Sequence, residues 1–212
     1  MTPTHSVLVT IGLFGLTFLS PGPNLLVVVQ SSLSAGRAAG VAAGFGVAAG
    51  DAIYAALGLF GMAALIAQSG DLFAFVKVVG GLYLLWLAWK MMKGGDGIVV
   101  ADGNDCPRSG SPPANLFVRG LVTDLANPQT VLFFASIFAV TLTPTTPAWA
   151  KALSWLGIVA VSATWRCLLS FAFSRRRIRA FYARSQRAIE RLAGAAFAAF
   201  GAKLIVEGIS VK

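Results

Sequence analysis

Hydrophobic residues dominate this chain in six long runs separated by shorter polar breaks, approximately Val7 to Leu33, Ala39 to Ala67, Leu72 to Trp89, Leu116 to Leu142, Trp149 to Phe173 and Ile189 to Ile209. A membrane-spanning helix needs about 20 predominantly apolar residues, so the pattern predicts six spans. The long polar stretch Lys93 to Asn115, rich in Gly, Asp, Asn, Ser and Pro, reads as a loop dividing the chain into two halves of three spans. The expected organisation is one transport domain over 1–212: a first repeat over about 1–92, a loop over about 93–115 and a second repeat over about 116–212. The fold class is all-α integral membrane, with the first and fourth helices interrupted.

Those interruptions are the most informative local signal. Ser20-Pro21-Gly22-Pro23-Asn24 lies in the middle of the first run and Asn127-Pro128 in the middle of the fourth. Proline removes a backbone donor and clashes with the preceding turn, and lipid tolerates such breaks only where the freed groups line a cavity or meet protein. Ser-Pro and Asn-Pro each pair a good N-cap with a proline suited to the first helical turn. With three spans per half, the second half enters the membrane from the opposite side. The two half-helices then point their positive N-terminal ends at the bilayer midplane, where they attract an anionic group such as a substrate carboxylate. Prolines that merely kink packed helices are the plainer alternative.

Composition strengthens the membrane reading. Apolar residues make up 57% and charged residues 12% of 212, too few charges to cover a soluble domain. The net charge of +9 comes with no nucleic-acid-binding motif, which leaves topology and anionic lipid at the cytoplasmic face to explain it. Arg37, Lys90, Lys93, Arg108 and Arg119, and the cluster Arg175 to Arg191, follow spans one, three and five. The positive-inside rule puts these breaks in the cytoplasm and both termini outside it. Met1 to Ser6 carries no Lys or Arg, so the first run is expected to be retained as a span and not cleaved as a signal peptide.

Four charges fall inside apolar runs: Asp51, Asp124, Arg166 and Lys203. Asp51 lies about 21 Å along a helix from Arg37, near the middle of the bilayer. Intramembrane charges are costly and should face the bundle interior. Mutual pairing explains them structurally, with Lys203 to Glu207 a local four-residue alternative. A carboxyl in such surroundings is also suited to carry a proton, and Asp51, then Asp124, are the candidates. Gly36, Gly40 and Gly44, with Gly46 and Gly50, form a small-residue stripe for close packing within the protomer; an intermolecular face, and hence a homo-oligomer, is the alternative use. Phe133-Phe134 could line a substrate path.

Ser20-Pro21-Gly22-Pro23-Asn24, Ser34-Ala35-Gly36-Arg37-Ala38-Ala39-Gly40 with the following Gly-rich run to Asp51, and Asp124-Leu125-Ala126-Asn127-Pro128-Gln129 through Phe134 together resemble the LysE/RhtB family of amino-acid exporters. The resemblance extends over essentially the whole chain, including Gly201-Ala202-Lys203-Leu204. It implies a six-span inner-membrane exporter of amino acids or related metabolites, energised by protons. Gln129 stands where the family often has Lys, and Arg166 is an unusual charge for span five. The expected substrate-binding residues are Ser20, Pro21, Gly22, Pro23, Asn24, Asn127, Pro128, Lys203 and Arg166, with Asp51 and Asp124 coupling protons and no cofactor.

Other chemistries lack their residues. Cys106 and Cys167 are too far from the breaks for a thiol oxidoreductase, and His5, the single histidine, has no metal-ligand spacing around it. There is no His-Glu-x-x-His sequence, so an enzyme is not expected. Transport of another small metabolite, or a membrane scaffold without transport, are the competing functions. A scaffold leaves Asp51, Asp124 and the paired breaks without a reason.

Overall fold

In the computed structural model, residues 2–18, 22–68, 70–93, 112–142, 146–173 and 176–209 are described, and they form eight α-helices: α1 (Pro3–Thr17), α2 (Pro23–Ala35), α3 (Arg37–Gln68), α4 (Gly70–Lys93), α5 (Pro113–Leu125), α6 (Pro128–Thr141), α7 (Ala148–Ala172) and α8 (Arg176–Ile209). The first predicted segment corresponds to α1 and α2 and the fourth to α5 and α6, so both are divided near their middles. By length and apolarity, two described stretches can each cross a membrane, Arg37–Leu59 and Ala148–Ala172. Taking α5 and α6 as one span bent by 59° gives a third. The secondary structure of the described residues is entirely helical, as suits an all-α membrane protein; Cys106 and the loop around it lie outside the described residues.

The distribution of polarity suits a lipid solvent. Leu57, Leu156, Leu168, Leu192 and Val206 are each more than half exposed, whereas Asp51, Asp124, Ser162 and Arg166 are buried. Apolar side chains on the outside and charges inside match a bundle whose surroundings are hydrocarbon and whose centre is polar. Trp86, Trp89 and Trp149 are exposed, with Lys90 over the Trp86 ring and Lys93 over the Trp89 ring. Such amphipathic pairs are suited to the membrane interface.

Glycines set the distances between helices. A Cβ at Gly46 would collide with the backbone of Phe117 and Leu121 on α5, and one at Gly120 with the backbone of Ala43 on α3. Gly40 leaves room for Ser32 and Ser170, and Gly44 for the base of Arg166. The stripe is thus used within the protomer, holding α3 against α2, α5 and α7. Gly36 is needed for its backbone instead, because its φ of 87° turns the chain from α2 into α3 in a conformation that side chains disfavour. Along the α4–α8 seam Gly81 and Gly201 meet reciprocally, a Cβ on the first falling 2.7 Å from the carbonyl oxygen of Gly201 and one on the second 2.8 Å from that of Gly81.

The basic segment differs from the expected loop. α8 starts at Arg176 and continues to Ile209, so the arginines after Arg175 lie on the first turns of a helix that runs on into the bundle. No proline or glycine interrupts Arg176 to Leu192, and arginine is a good helix former, so charge marked the topology without marking a break.

Candidate functional site

The break between α5 and α6 is built from identifiable substitutions in the hydrogen-bond ladder. Asn127 is the N-cap of α6, its side-chain oxygen accepting from Gln129 N at 3.0 Å, with Pro128 at the first helical position. In a continuous helix that amide would have donated to the carbonyl of Leu125. Tyr54 of α3 takes over, donating its hydroxyl to Leu125 O at 2.6 Å, and Tyr83 of α4 donates to Gln129 O at 3.1 Å. The kink is therefore stabilised by neighbouring helices, as a break at membrane depth requires.

The first break is made differently from the sequence expectation. α2 is capped by Gly22, which is extended at φ −129° and ψ 177°, and Pro23 rather than Pro21 opens the helix. Ser20 and Pro21 lie outside the described residues. Glycine offers no side-chain acceptor, so the first turn of α2 has no side-chain cap, unlike that of α6.

Both helix starts meet one cavity of about 60 Å³, reached by Gly22, Asn24 and Leu25 of α2 and by Asn127, Gln129 and Thr130 of α6. Asp51 of α3 and Arg166 of α7 complete its polar wall. Arg166 donates through a terminal nitrogen to Asp51 Oδ2 at 3.0 Å, and Ser162 donates to the same oxygen at 2.6 Å. Both bonds end on Oδ2, which leaves Oδ1 for another donor. The Arg166 guanidinium also lies over the Phe18 ring, 5.4 Å from its centre. Phe14, Phe18, Phe133, Phe134 and Trp165 form the apolar remainder, stacked or edge-on to one another.

Asp124 stands one layer behind this wall. Its Oδ1 accepts from Asn24 Nδ2 at 2.5 Å and from Thr130 at 3.0 Å, tying the first turns of α2 and α6 together. Gly50 makes this possible: a Cβ there would fall 2.9 Å from Asp124 Cβ and Cγ. Several polar atoms at the site have no hydrogen-bond partner among the described residues, namely Arg166 Nε, Trp165 Nε1, Asn24 Oδ1 and Asp124 Oδ2. Buried polar atoms are rarely left unbonded, and a cluster of them marks a place for a ligand.

The structure thus brings together Gly22, Asn24, Asn127, Asp51 and Arg166, with Asp124 behind them. Lys203 lies elsewhere. It is on α8, no described residue of which reaches the cavity, and its ammonium is 3.8 Å from Glu207, which also receives Lys77 at 3.2 Å. The local pairing is the arrangement found. Gln129, Thr130 and Trp165 join the site without being expected there from the sequence; their adjacency to Pro128 and Arg166 was the available signal. Among the described residues there is no cluster of His, Cys, Asp and Glu that could hold a metal ion.

A sequence profile for LysE type translocators matches residues 7–208. The chain belongs to this family. As a LysE-type membrane translocator it is 50% identical over 210 residues to an uncharacterized membrane protein of Escherichia coli K12, YahN, covering 99% of this chain and 93% of that one. It is 30% identical over 192 residues to a leucine efflux protein of Klebsiella pneumoniae, 88% of each chain. To a threonine efflux protein of Escherichia coli K12 it is 28% identical over 194 residues, covering 89% of this chain and 91% of that one. No solved structure matches the LysE-type chain.

Proposed function

We propose that this protein exports amino acids or closely related amino metabolites across the inner membrane, in exchange for protons, by alternating access of two inverted halves. The observation that carries the reading is the convergence of two helix N-termini and the Asp51–Arg166 pair on one cavity. A zwitterion needs an anion site and a cation site a few ångströms apart. The α2 start, uncapped by any side chain, and the unbonded Arg166 Nε supply the first; Asp51 Oδ1 supplies the second. The named activities of the leucine and threonine efflux relatives support an amino-acid substrate.

Exchange follows from competition for one carboxyl. A proton on Asp51 cancels the charge that would hold the substrate ammonium, so proton and substrate occupy the site in turn. Asp124, bonded to both broken helices, carries any change at one of them to the other. Inverted symmetry is supported by reciprocal packing, α1 on α6 with α2 on α5, α3 on α5 with α1 on α7 and α3 on α6 with α2 on α7, while α2 on α3 and α4 on α6 lack such counterparts among the described residues. In this arrangement the Arg175 to Arg191 segment is cytoplasmic, near anionic lipid, and both termini are outside.

The test is transport by the purified chain in liposomes. An imposed proton gradient should drive counter-movement of a labelled amino acid, and Asp51→Asn should abolish the dependence on the gradient while the protein still elutes as a folded species. Gradient-driven transport unchanged in that variant would remove Asp51 from the coupling role.

A further inference from the structure

The central cavity is small. At about 60 Å³, and about 10–15 Å³ for each water-sized atom group, it accommodates about five heavy atoms. That is the ammonium, α-carbon and carboxylate of an amino acid. The cavity is partly open, so a side chain extends from it either through the mouth or past a wall, and the walls differ. Asp51, Arg166 and the helix starts form the polar part, already engaged by the main-chain groups. The remainder is aromatic or aliphatic except for Thr17, whose hydroxyl donates to Phe14 O at 2.6 Å, and it presents no counter-charge for a charged side chain, whose unpaired burial is prohibitive.

One apolar wall has open space behind it. Phe18 and Trp165 stack with ring centres 5.5 Å apart and planes at 11°, and both also line a second void of about 270 Å³ with Ala160, Val161, Thr164 and Leu168. This groove lies along the membrane-facing side of α7, where Ala160, Thr164 and Leu168 are exposed. The partition is one ring pair thick. Phe18 caps the C-terminal end of α1, immediately before the first break, and among the described residues no hydrogen bond holds the Trp165 indole N–H. Rotating Trp165 breaks ring stacking and packing against the two core clusters but no hydrogen bond among the described residues.

We infer that the Phe18–Trp165 pair is a movable partition and that the groove behind it receives the apolar side chain of the transported amino acid. The inference rests on the export reading and adds to it a location and a class: aliphatic or aromatic side chains, selected by the room behind Trp165. A charged side chain finds no partner in the groove, and a very small one does not need it.

The experiment measures kcat/KM for labelled L-leucine and L-alanine with the full chain in liposomes. Ala160→Phe fills the groove from a position outside the central cavity, and the leucine-to-alanine ratio should fall at least about 10-fold, in line with the discrimination expected from lost room for even one methylene. Trp165→Ala removes the partition and should raise the same ratio. A ratio that stays put in both variants while transport persists overturns the inference, and equal losses for both substrates do so as well, assigning the groove to a lipid chain. Failure of the unsubstituted protein to move either amino acid brings down the export reading itself, and the partition with it.

Discussion

The Asp51–Arg166 pair makes the sharpest stability prediction. The two groups are 3.0 Å apart with side-chain exposures of 3% and 6%, so neither is well exposed to water when the other is removed. Asp51→Asn preserves an acceptor for Ser162 but leaves the guanidinium without a counter-charge; Arg166→Gln leaves a carboxylate held by Ser162 alone. Breaking a buried pair from one side costs about 3–5 kcal/mol, whereas removing both charges together is far milder. The contact of Arg166 with the Phe18 ring persists in the Asp51 variant and so does not alter the difference. A double-mutant cycle measured by reversible SDS unfolding in bicelles should therefore give a coupling energy of at least about 3 kcal/mol, with the double variant more stable than either single one. Additive costs, equal to within about 0.5 kcal/mol, would mean that each side chain finds other partners and that the pair does not act as a unit.

Two further outcomes test the architecture. Asn127→Ala removes the acceptor for Gln129 N and should cost about 0.5–2 kcal/mol of stability in the same assay, with a larger proportional loss of transport because the α6 start lies on the cavity. Gly201→Leu forces a side chain against the Gly81 carbonyl and should separate α4 from α8, lowering stability by about 1–3 kcal/mol; unchanged unfolding there would refute the close seam.

The N-cap at Asn127 was legible because a single Asn-Pro pair is locally decisive. At the first break two prolines stand two residues apart, and both fit the same local rule; the extended Gly22 before Pro23 is the start the structure adopts. The sequence marks Asp51, Asp124 and Arg166 as inward-facing because lipid excludes charge. It does not tell which carboxylate Arg166 meets, since that choice depends on helices 115 residues apart. Lys203 was readable as half of an i,i+4 pair, but Lys77 as the third member of that cluster was not, being on another helix. Trp165 reads as a packing residue from its depth. Its role as a cavity wall follows from α1 lying against α7, a tertiary fact with no local signature.

The continuity of α8 has a mechanical consequence. Its 34 residues make a rod about 51 Å long, against a hydrocarbon layer of about 30 Å. The helix exceeds that thickness by about 20 Å, and its arginine-bearing first turns and its glycine seam with α4 belong to one continuous element. A displacement of the arginine-bearing end is therefore carried along the helix toward that seam, where Gly81 and Gly201 approach each other's carbonyl oxygens between the side chains of Leu84, Leu85, Leu204 and Ile205.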